Sequence, residues 1–264
     1  MDSERLIKNL LREDVEDASK LLGLATNKTQ EQLFANLDYA LNSSEFKKFF
    51  SIVDERKNGK PFANIKGSQG FYEHEFLVSP STLIPRPETE LLIDIAIDSL
   101  DSEKKIKVLD LGTGSGIIAI TLSQQCPKWD VSASDQSSKA LTLAKLNAKR
   151  PINFYCGSWF EPLPKIKFDL IVSNPPYISE KDPHLEDLRF EPMEALVSGN
   201  DGLKDIRLII SQSPQFLNKN GLLLLEHGYD QKDRIIKLLE GSFKNIKAFK
   251  DLNGIDRAII AELR

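Results

Sequence analysis

The segment Ser173–Tyr177, with the sequence SNPPY, contains the residue types needed to hold one planar –NH2 group. The amide oxygen of Asn174 and the backbone carbonyl of Pro175 are two acceptors for the two hydrogens of such a group. Tyr177 could cover its flat face, and the nitrogen lone pair would then point out of the plane towards an electrophile. We therefore predict that Asn174, Pro175 and Tyr177 are catalytic. Together with Pro176, the same residues are predicted to bind the substrate.

The two prolines make this segment rigid. Both Pro175 and Pro176 have fixed φ angles, and each pushes the residue before it towards an extended conformation. The apolar run Phe168–Val172, which precedes the segment, has the length and the branched residues of a buried strand. Open α/β sheets bind their ligands at the carboxyl ends of such strands. The alternative is a turn that only ends the strand, with Asn174 capping its own backbone.

A second candidate site lies at Asp110–Gly116, with the sequence DLGTGSG. Glycines there allow a tight turn and let a ligand approach backbone N–H groups at the start of a helix. The spacing G-x-G-x-G is one residue shorter than the dinucleotide fingerprint, which favours an adenosine-type ligand over a pyrophosphate. Asp135 ends the next predicted strand, where an acidic residue can accept the hydroxyls of a ribose. The alternative is a loop that is only structural.

Two further residues have two interpretations each. Trp159 follows the third predicted strand and could stack on an adenine ring or fill the core. Arg86 lies between two prolines and could be a linker charge or be held over the mouth of a site. The residues alone leave both choices open.

Together these features predict methyl transfer from S-adenosylmethionine to a planar nitrogen. The sulfonium donor is already a strong electrophile, so the protein has mainly to align it with the nitrogen lone pair. Hydrogen bonds to Asn174 and Pro175 would strengthen as positive charge develops on the nitrogen, and no strong base is needed first. The residues predicted to bind the donor are Gly112, Thr113, Gly114, Ser115, Gly116, Asp135, Trp159 and Asn174.

The pattern along the chain predicts three parts. Residues 1–58 form a small helical domain, with apolar stripes at Leu6–Leu11, Leu33–Leu41 and Phe46–Val53 that are core positions or, alternatively, a partner-docking face. Residues 59–87 contain Gly, Pro and short apolar stretches and form a β-hairpin or linker.

From 88 to 264 strand and helix signals alternate, which predicts an α/β domain with a parallel sheet covered on both faces. Its predicted strands are 106–111, 131–134, 152–156, 168–173, 222–225, 246–249 and 257–261, and its predicted helices are 91–97, 117–125, 140–147, 206–216 and 235–239.

A capping box is also predicted in the helical domain, at Thr29 and Gln32.

The composition narrows the class of protein. With 264 residues, 41% hydrophobic and 28% charged, the chain can bury a sizeable core. Its formal net charge of -4 argues against a general duplex-binding surface, which is normally basic. Cys126 and Cys156 are too few for a disulfide framework, and no Cys/His cluster has metal-ligand spacing. The charged N-terminus and the lack of a long apolar run predict no signal peptide, no membrane span and a cytoplasmic protein.

Motifs spread along the chain match one known family. They are Gly59-Lys60-Pro61, Ser79-Pro80, Thr82 to Glu90, Leu109 to Gly116, Val172 to Ile178, Phe190-Glu191-Pro192, Ala195-Leu196, Asp201-Gly202-Leu203, Leu225 to Gly228 and Gly254 to Arg257. On these residues the chain resembles the release-factor glutamine methyltransferases, also called PrmC or HemK, over nearly its whole length. The Pro-Arg-Pro segment and the Glu-His-Gly turn are much more specific than the glycine loop, which many methyltransferases share.

The resemblance implies a helical N-terminal domain joined by a β-hairpin to a Rossmann-like, seven-stranded class I methyltransferase domain. It implies N5-methylation of the glutamine in the Gly-Gly-Gln motif of peptide chain release factors, with S-adenosylmethionine as donor and S-adenosylhomocysteine as product. In the family the glycine loop, the acid at Asp135 and the tryptophan at Trp159 bind the donor, and the turn at Asn174–Tyr177 holds the glutamine. The helical domain would help to grip the protein substrate.

Two positions depart from the family pattern. Ser158 stands where many relatives have Asp, so no carboxylate is assigned to the adenine amine. Ser138 replaces a proline common in relatives, which affects only the start of a helix. Neither position touches the predicted chemistry.

Three other functions fit part of the pattern. One is an adenine N6-methyltransferase, because the exocyclic amine of adenine is the same kind of planar –NH2 group. Such an enzyme must extract its base from the stack and hold a nucleic-acid backbone with basic residues. This chain is acidic and has no large insertion for base recognition. A nicotinamide oxidoreductase is disfavoured by the misplaced third glycine. A non-catalytic binding protein would not need both the donor loop and the acceptor turn. We therefore expect a release factor as partner, no direct nucleic-acid or membrane contact, and a monomer.

Overall fold

The computed structural model describes residues 3–264, which divide into two compact units with the boundary between Gly67 and Ser68. This boundary lies later than the end of the helical domain predicted at residue 58. The reason is helix α5 (Phe62–Lys66), which begins after Pro61 and ends at Gly67 with a left-handed φ of 81°. The prediction that residues 60–66 are extended is therefore wrong, because a proline start and a glycine end enclose one short helix there.

The first unit is helical. Its longest helix, α4 (Ser43–Lys57), is capped by Asn42 and Glu45. The predicted capping box at Thr29 and Gln32 is confirmed at the start of α3 (Gln30–Ala35). The unit's core contains Ile7, Leu10, Leu21, Leu22, Ala25, Leu33, Leu41, Phe49 and Val53. Besides α5, the helices of this unit are α1 (Ile7–Leu10), α2 (Ala18–Thr26), α3 (Gln30–Ala35) and α4 (Ser43–Lys57).

The apolar stripe predicted at Leu33–Leu41 is not one helix. Helix α3 ends at Ala35, and Leu37 beyond it is 40% exposed, so its prediction as a core position is wrong. Leu41 is buried, but outside a helix, next to the bridge between Leu6 and Ala40. Burial here is set by a backbone pairing between distant segments, which helical periodicity does not report.

The second unit begins with an antiparallel hairpin of β1 (Ser68–Phe71) and β2 (His74–Leu77). Within residues 68–264 the main sheet has seven strands in the order β5-β4-β3-β6-β7-β9-β8, and only β9 runs against the others. Its strands are β3 (Lys107–Leu111), β4 (Asp130–Asp135), β5 (Asn153–Cys156), β6 (Phe168–Ser173), β7 (Leu217–Glu226), β8 (Phe243–Lys250) and β9 (Asp256–Leu263). The predicted Rossmann-like α/β fold is confirmed.

Helices cover both faces of this sheet, because successive strand residues point to opposite sides. Val108 packs in a cluster with α6 (Glu90–Ser99) and α7 (Ile117–Gln125), whereas Leu109 packs in a second cluster with α9 (Lys204–Gln212) and α10 (Lys232–Leu239). Helix α8 (Ser138–Asn147) connects β4 to β5. The helix predicted at 206–216 is too long, since Pro214 ends it in a separate 3-10 turn at Ser213–Gln215.

The strand order brings the two candidate sites together. Strand β3 pairs with β4 on one side and with β6 on the other, so the connections leave it in opposite directions. Such a switch point opens a crevice at the carboxyl ends of the strands. Leu111, before the glycine loop, is in register with Ser173, before Asn174, and the Ser173 hydroxyl donates to the Leu111 carbonyl at 2.7 Å.

In the part of the chain described, no helix is long and apolar enough to cross a membrane.

Candidate active site

The glycine loop leaves β3 and folds back on β4. The backbone N–H groups of Gly112 and Thr113 donate to the Ser134 carbonyl at 2.9 and 3.0 Å. Gly114 has a φ of +57°, and a Cβ placed on it would meet no atom within 4 Å. At Gly116 the reason for glycine is packing instead, because a Cβ there would lie 2.7 Å from the Ile120 side chain. The loop therefore has open space at Gly114, where a ligand can approach the backbone.

Asp110 holds the loop from beneath. It is fully buried, and its Oδ2 atom accepts from the Thr113 hydroxyl at 2.6 Å and from the Ala119 N–H at 3.1 Å. Burial raises the pKa of Asp110 to about 7, against the effect of those two hydrogen bonds. The N–H and the hydroxyl of Thr113 are both used within the protein, so Thr113 fixes the shape of the loop. The predicted donor-binding residue Ser115 is buried beside it.

Asp135 lies at the end of β4 beside the same loop. Its two carboxylate oxygens accept the N–H groups of Gly114 at 2.9 Å and of Ser137 at 2.8 Å. Burial raises the pKa of Asp135, and these hydrogen bonds lower it. Each oxygen keeps a free lone pair, because a carboxylate offers about four acceptor positions. The carboxylate can therefore accept two vicinal hydroxyls, as a ribose would present them.

Trp159 packs against the glycine loop at Gly112. A Cβ placed on Gly112 would lie 3.3 Å from Cζ3 of the Trp159 ring, so only a glycine lets the ring approach so closely. The Trp159 carbonyl accepts from the Ser134 hydroxyl at 3.0 Å, which ties this residue to β4. Trp159 also packs at the edge of one core cluster. Trp159 therefore packs at the core edge and also against the glycine loop, and its stacking on an adenine stays a prediction.

The side chain of Asn174 is oriented by a hydrogen bond. Its Nδ2 atom donates to the Thr89 hydroxyl oxygen at 3.1 Å. Among residues 3–264, no donor is bonded to the Asn174 Oδ1 atom or to the Pro175 carbonyl. These are the two acceptors that the sequence predicted, at the end of β6 next to the glycine loop.

Tyr177 is held from behind. Its hydroxyl donates to Oε1 of Glu226 at 3.1 Å, and its carbonyl accepts from Nε2 of Gln231 at 2.9 Å. Gln231 is buried and also accepts the Gly228 N–H at 2.9 Å, so one side chain joins the turn to the end of β7. A Cβ on Gly202 would lie only 2.2 Å from the Tyr177 carbonyl oxygen. The turn is thus fixed both by its prolines and by its neighbours.

Arg86 forms an ion pair with Glu191, whose other carboxylate oxygen accepts the Ile84 N–H at 2.7 Å. Glu191 is buried. Burial raises the pKa of the Tyr177 hydroxyl, and the nearby Arg86 guanidinium opposes that rise slightly. Arg86 is therefore not a free linker charge. It ties the Pro-Arg-Pro segment to the loop that follows the acceptor turn.

Two family models match the chain, the Methyltransferase small domain over residues 89–189 and the PrmC N-terminal domain over residues 3–67. A Coxiella burnetii protein named release factor glutamine methyltransferase is 41% identical over 250 residues, which cover 93% of this chain and 90% of that protein. Vibrio cholerae has a protein of the same name that is 41% identical over 259 residues, covering 94% and 89% of the two chains. The chain belongs to the release factor glutamine methyltransferase family.

Solved structures share the fold of this family member. A methyltransferase from Pyrococcus furiosus superposes with a TM-score of 0.57 at 16% identity, covering 79% of this chain and 98% of that chain. A Thermus thermophilus 16S rRNA N2 G1207 methyltransferase, in complex with AdoMet and guanosine, gives 0.56 at 18% identity, covering 75% and 50%. At such identities the likeness shows the methyltransferase fold alone.

Several residues of this methyltransferase's site were given no role from the sequence. Thr89, Glu191 and Glu226 stand in motifs that carry the family resemblance, so a signal for them existed. Gln231 lies outside those motifs, and nothing in its local sequence distinguishes it. All four act through contacts with residues far away along the chain.

Proposed function

We propose that this protein transfers a methyl group from S-adenosylmethionine to the side-chain nitrogen N5 of the glutamine in the Gly-Gly-Gln motif of a peptide chain release factor. The observation that carries the proposal is the orientation of Asn174. Its Nδ2 atom is occupied by Thr89, so its Oδ1 atom remains as an acceptor beside the Pro175 carbonyl. Two such acceptors, next to a glycine loop, match the two hydrogens of a primary carboxamide.

The residues around the glycine loop fit the donor. Gly114 leaves open space beside the backbone, Asp135 can accept the ribose hydroxyls, and Trp159 offers an aromatic face for the adenine. Gly112, Thr113, Ser115 and Gly116 give the loop its shape. When bound, S-adenosylmethionine supplies a methyl group that its sulfonium makes electrophilic.

The acceptor side contributes alignment. Asn174 and Pro175 hold both amide hydrogens, which fixes the plane of the amide and the direction of the nitrogen lone pair. Their hydrogen bonds to the amide strengthen as the nitrogen gains positive charge, so they stabilise the transition state more than the ground state. The new N–C bond replaces the sulfur–methyl bond of the donor, and one of the two amide protons then leaves the nitrogen to water. Pro176 keeps the turn stiff, and Tyr177 covers the flat face of the amide. Restricting the orientation of the substrate amide in this way can contribute a large part of the rate enhancement.

A release factor fits better than a nucleic acid as the acceptor. The chain has a net charge of -4, and a protein that holds a phosphate backbone normally presents a basic surface. Relatives that match more than nine-tenths of this chain are named for release factors. We further propose that the helical unit docks the release factor and that the enzyme works as a monomer in the cytoplasm, without direct contact with nucleic acid.

The experiment that tests this function is mass spectrometry of a purified release factor after incubation with the enzyme and donor. We expect a mass increase of one methyl group on the glutamine of the motif. A release factor with glutamate in place of that glutamine serves as the control and should gain nothing. Methyl groups found on DNA or RNA, with the release factor unmodified, would instead favour an adenine N6-methyltransferase.

A further inference from the structure

We propose that Thr89 and Glu226 are positioning residues that determine which end of the Asn174 side chain faces the substrate. This inference rests on the proposed function and adds to it two residues that do not touch the substrate. Thr89 is fully buried just before α6, and Glu226 is the last residue of β7. Asn174 follows β6 and donates to Thr89, so three separate elements bring the side chains of this proposal together.

The need for such a chain follows from the chemistry of asparagine. The two ends of its amide have nearly the same shape, but one accepts hydrogen bonds and the other donates them. If the Nδ2 end of Asn174 faced the substrate, donor would meet donor and the carboxamide would not be held. The prolines of the turn fix the backbone and leave this choice open.

Thr89 alone cannot make the choice. Its hydroxyl accepts from Asn174 Nδ2 at 3.1 Å, but a hydroxyl can equally donate to the oxygen end of an amide. The direction is decided only if something else takes the hydroxyl proton of Thr89. Once that proton is committed, Thr89 offers lone pairs, and the NH2 end of Asn174 is its matching partner.

Glu226 is the group placed to take that proton. Above the pKa of about 7 to which burial raises it, the ionised Glu226 carboxylate only accepts hydrogen bonds, and its Oε1 already accepts the Tyr177 hydroxyl at 3.1 Å. Within residues 3–264, no donor meets Oε2 at ordinary hydrogen-bond geometry, yet the Thr89 hydroxyl lies close enough to favour the charged carboxylate. Among the described residues, Oε2 of Glu226 is thus a buried acceptor without a partner, beside a hydroxyl whose proton has no other use in the proposed arrangement.

Packing alone does not account for this carboxylate. Glu226 is 1% exposed, and burying a carboxyl group with one oxygen unpartnered is costly. An apolar residue of similar size would fill the space more cheaply. The arrangement makes sense if Glu226 sets the direction of two hydrogen bonds, one from Tyr177 and one from Thr89.

The decisive comparison is between Thr89→Val and Thr89→Ser. Valine keeps the shape of threonine and loses the hydroxyl, whereas serine keeps the hydroxyl and loses the methyl group. We expect Thr89→Val to lower kcat for release-factor methylation about tenfold or more, the effect of one lost orienting hydrogen bond. Thr89→Ser should stay within about threefold of wild type. Both should bind S-adenosylmethionine as wild type does.

A further variant, Glu226→Gln, tests whether Glu226 fixes the orientation of the Asn174 amide through the Thr89 hydroxyl. A glutamine can donate from its nitrogen to Thr89, which would release the Thr89 hydroxyl to donate to Asn174 and so reverse the amide. We expect kcat to fall by about tenfold or more with little change in donor affinity. Melting temperatures of all three variants, measured alongside, report any loss of folding.

The outcomes separate the inference from the function on which it rests. If the wild-type enzyme does not methylate the release factor, the proposed function fails. If wild type is active and Thr89→Val is equally active, or if Thr89→Ser is the more damaged of the pair, the hydroxyl has no orienting role and the inference is overturned. Full activity of Glu226→Gln would remove Glu226 from the chain in the same way.

Discussion

At the scale of single residues, Asn174 is the side chain on which the chemistry depends. Replacing it with alanine removes one of the two acceptors for the substrate amide, so we expect kcat to fall by about a hundredfold or more, as when one preorganised hydrogen bond is removed from other active sites. Donor affinity should change less, because Asp135 and the glycine loop remain. Kinetics with labelled donor, together with a titration of donor binding, would measure both.

The matched control is Asn174→Asp, which keeps an oxygen acceptor at the same place. It should retain more activity than Asn174→Ala, although Thr89 would then have to donate instead of accept. If the alanine variant methylates release factor at the wild-type rate, Asn174 does not hold the substrate amide and the proposed site is wrong.

Glu226 gives a prediction about stability and pH. Burial raises its pKa to about 7, while Thr89, Arg257 and Tyr177 oppose that rise and Glu88 adds to it. Since an unfolded glutamate has a pKa near ~4.3, the folded state binds more protons between these two values. Stability from this group is therefore greatest below the unfolded pKa, falls as pH rises towards 7, and stays low above it.

Glu226→Gln removes this ionisation. At pH 8 we expect the variant to be more stable than wild type, by up to about 4 kcal/mol, since one pKa unit corresponds to about 1.4 kcal/mol. The gain should shrink steadily from pH 7 to pH 5. Denaturant unfolding at several pH values measures it, and the exposed Glu194 changed to Gln is the control that should show no such trend. A variant less stable than wild type at pH 8 would show that Tyr177 and Arg257 outweigh the burial.

How far the sequence predicted the site depends on the range of each contact. Asn174, Asp135 and the glycine loop have local signals, namely a proline turn, a strand end and a glycine spacing, and the structure places them at one edge of the sheet. Gln231 lies 54 positions along the chain from Tyr177, whose carbonyl it holds. Its role exists only once β7 lies beside β6, so no local pattern could reveal it.

At the scale of elements, the acceptor turn works because other loops pack tightly behind it. Gly202 has a φ of +70°, and a Cβ there would lie 2.2 Å from the Tyr177 carbonyl oxygen and 2.6 Å from Nε2 of Gln231. Gly202→Ala must therefore displace the turn. We expect it to lower kcat for release-factor methylation by about tenfold or more, because a displacement near 1 Å is enough to misalign reacting groups.

Gly199→Ala is a close control for this prediction. Gly199 has the same φ of +70°, so alanine there has the same backbone strain. The nearest atom to a Cβ at Gly199 is Cβ of Lys204, at 3.3 Å, so alanine there needs a shift of only a few tenths of an ångström and does not touch the turn. Thermal unfolding of Gly199→Ala reports the cost of the backbone strain alone, Gly202→Ala should be destabilised by more, and only Gly202→Ala should lose activity. Equal losses in the two would mean that strain, and not the position of the turn, sets the rate.

Secondary-structure prediction succeeded where the signal was local and failed where it was not. The bounds predicted for α7 and β6 are those of the structure, since each is a continuous apolar run with clear end signals. Helix α2 was not predicted, and α5 was taken for an extended segment. Both lie in the first unit: α2 begins without a side-chain cap, and the Pro61 and Gly67 signals of α5 enclose only five residues, too few to show a helical period.

At the scale of the whole molecule, the two units have separate cores. Every member of the first unit's cluster lies before Gly67, and every member of the two clusters around the sheet lies after Ser68. Each unit can therefore bury its own apolar surface. This separation lets the roles of donor binding and of substrate docking be tested on different parts of the chain.

A chain that begins at Ser68 keeps the sheet, the glycine loop and the acceptor turn. If the helical unit docks the release factor, this truncated enzyme should bind S-adenosylmethionine with near wild-type affinity, while KM for the release factor rises about tenfold or more, which corresponds to ~1.4 kcal/mol of lost binding. A short peptide that contains the Gly-Gly-Gln motif is the control substrate, because it is too small to need docking, and its kcat/KM should change little. An unchanged KM for the whole release factor would show that the helical unit does not dock it, and the apolar stripes of that unit would then be core positions only.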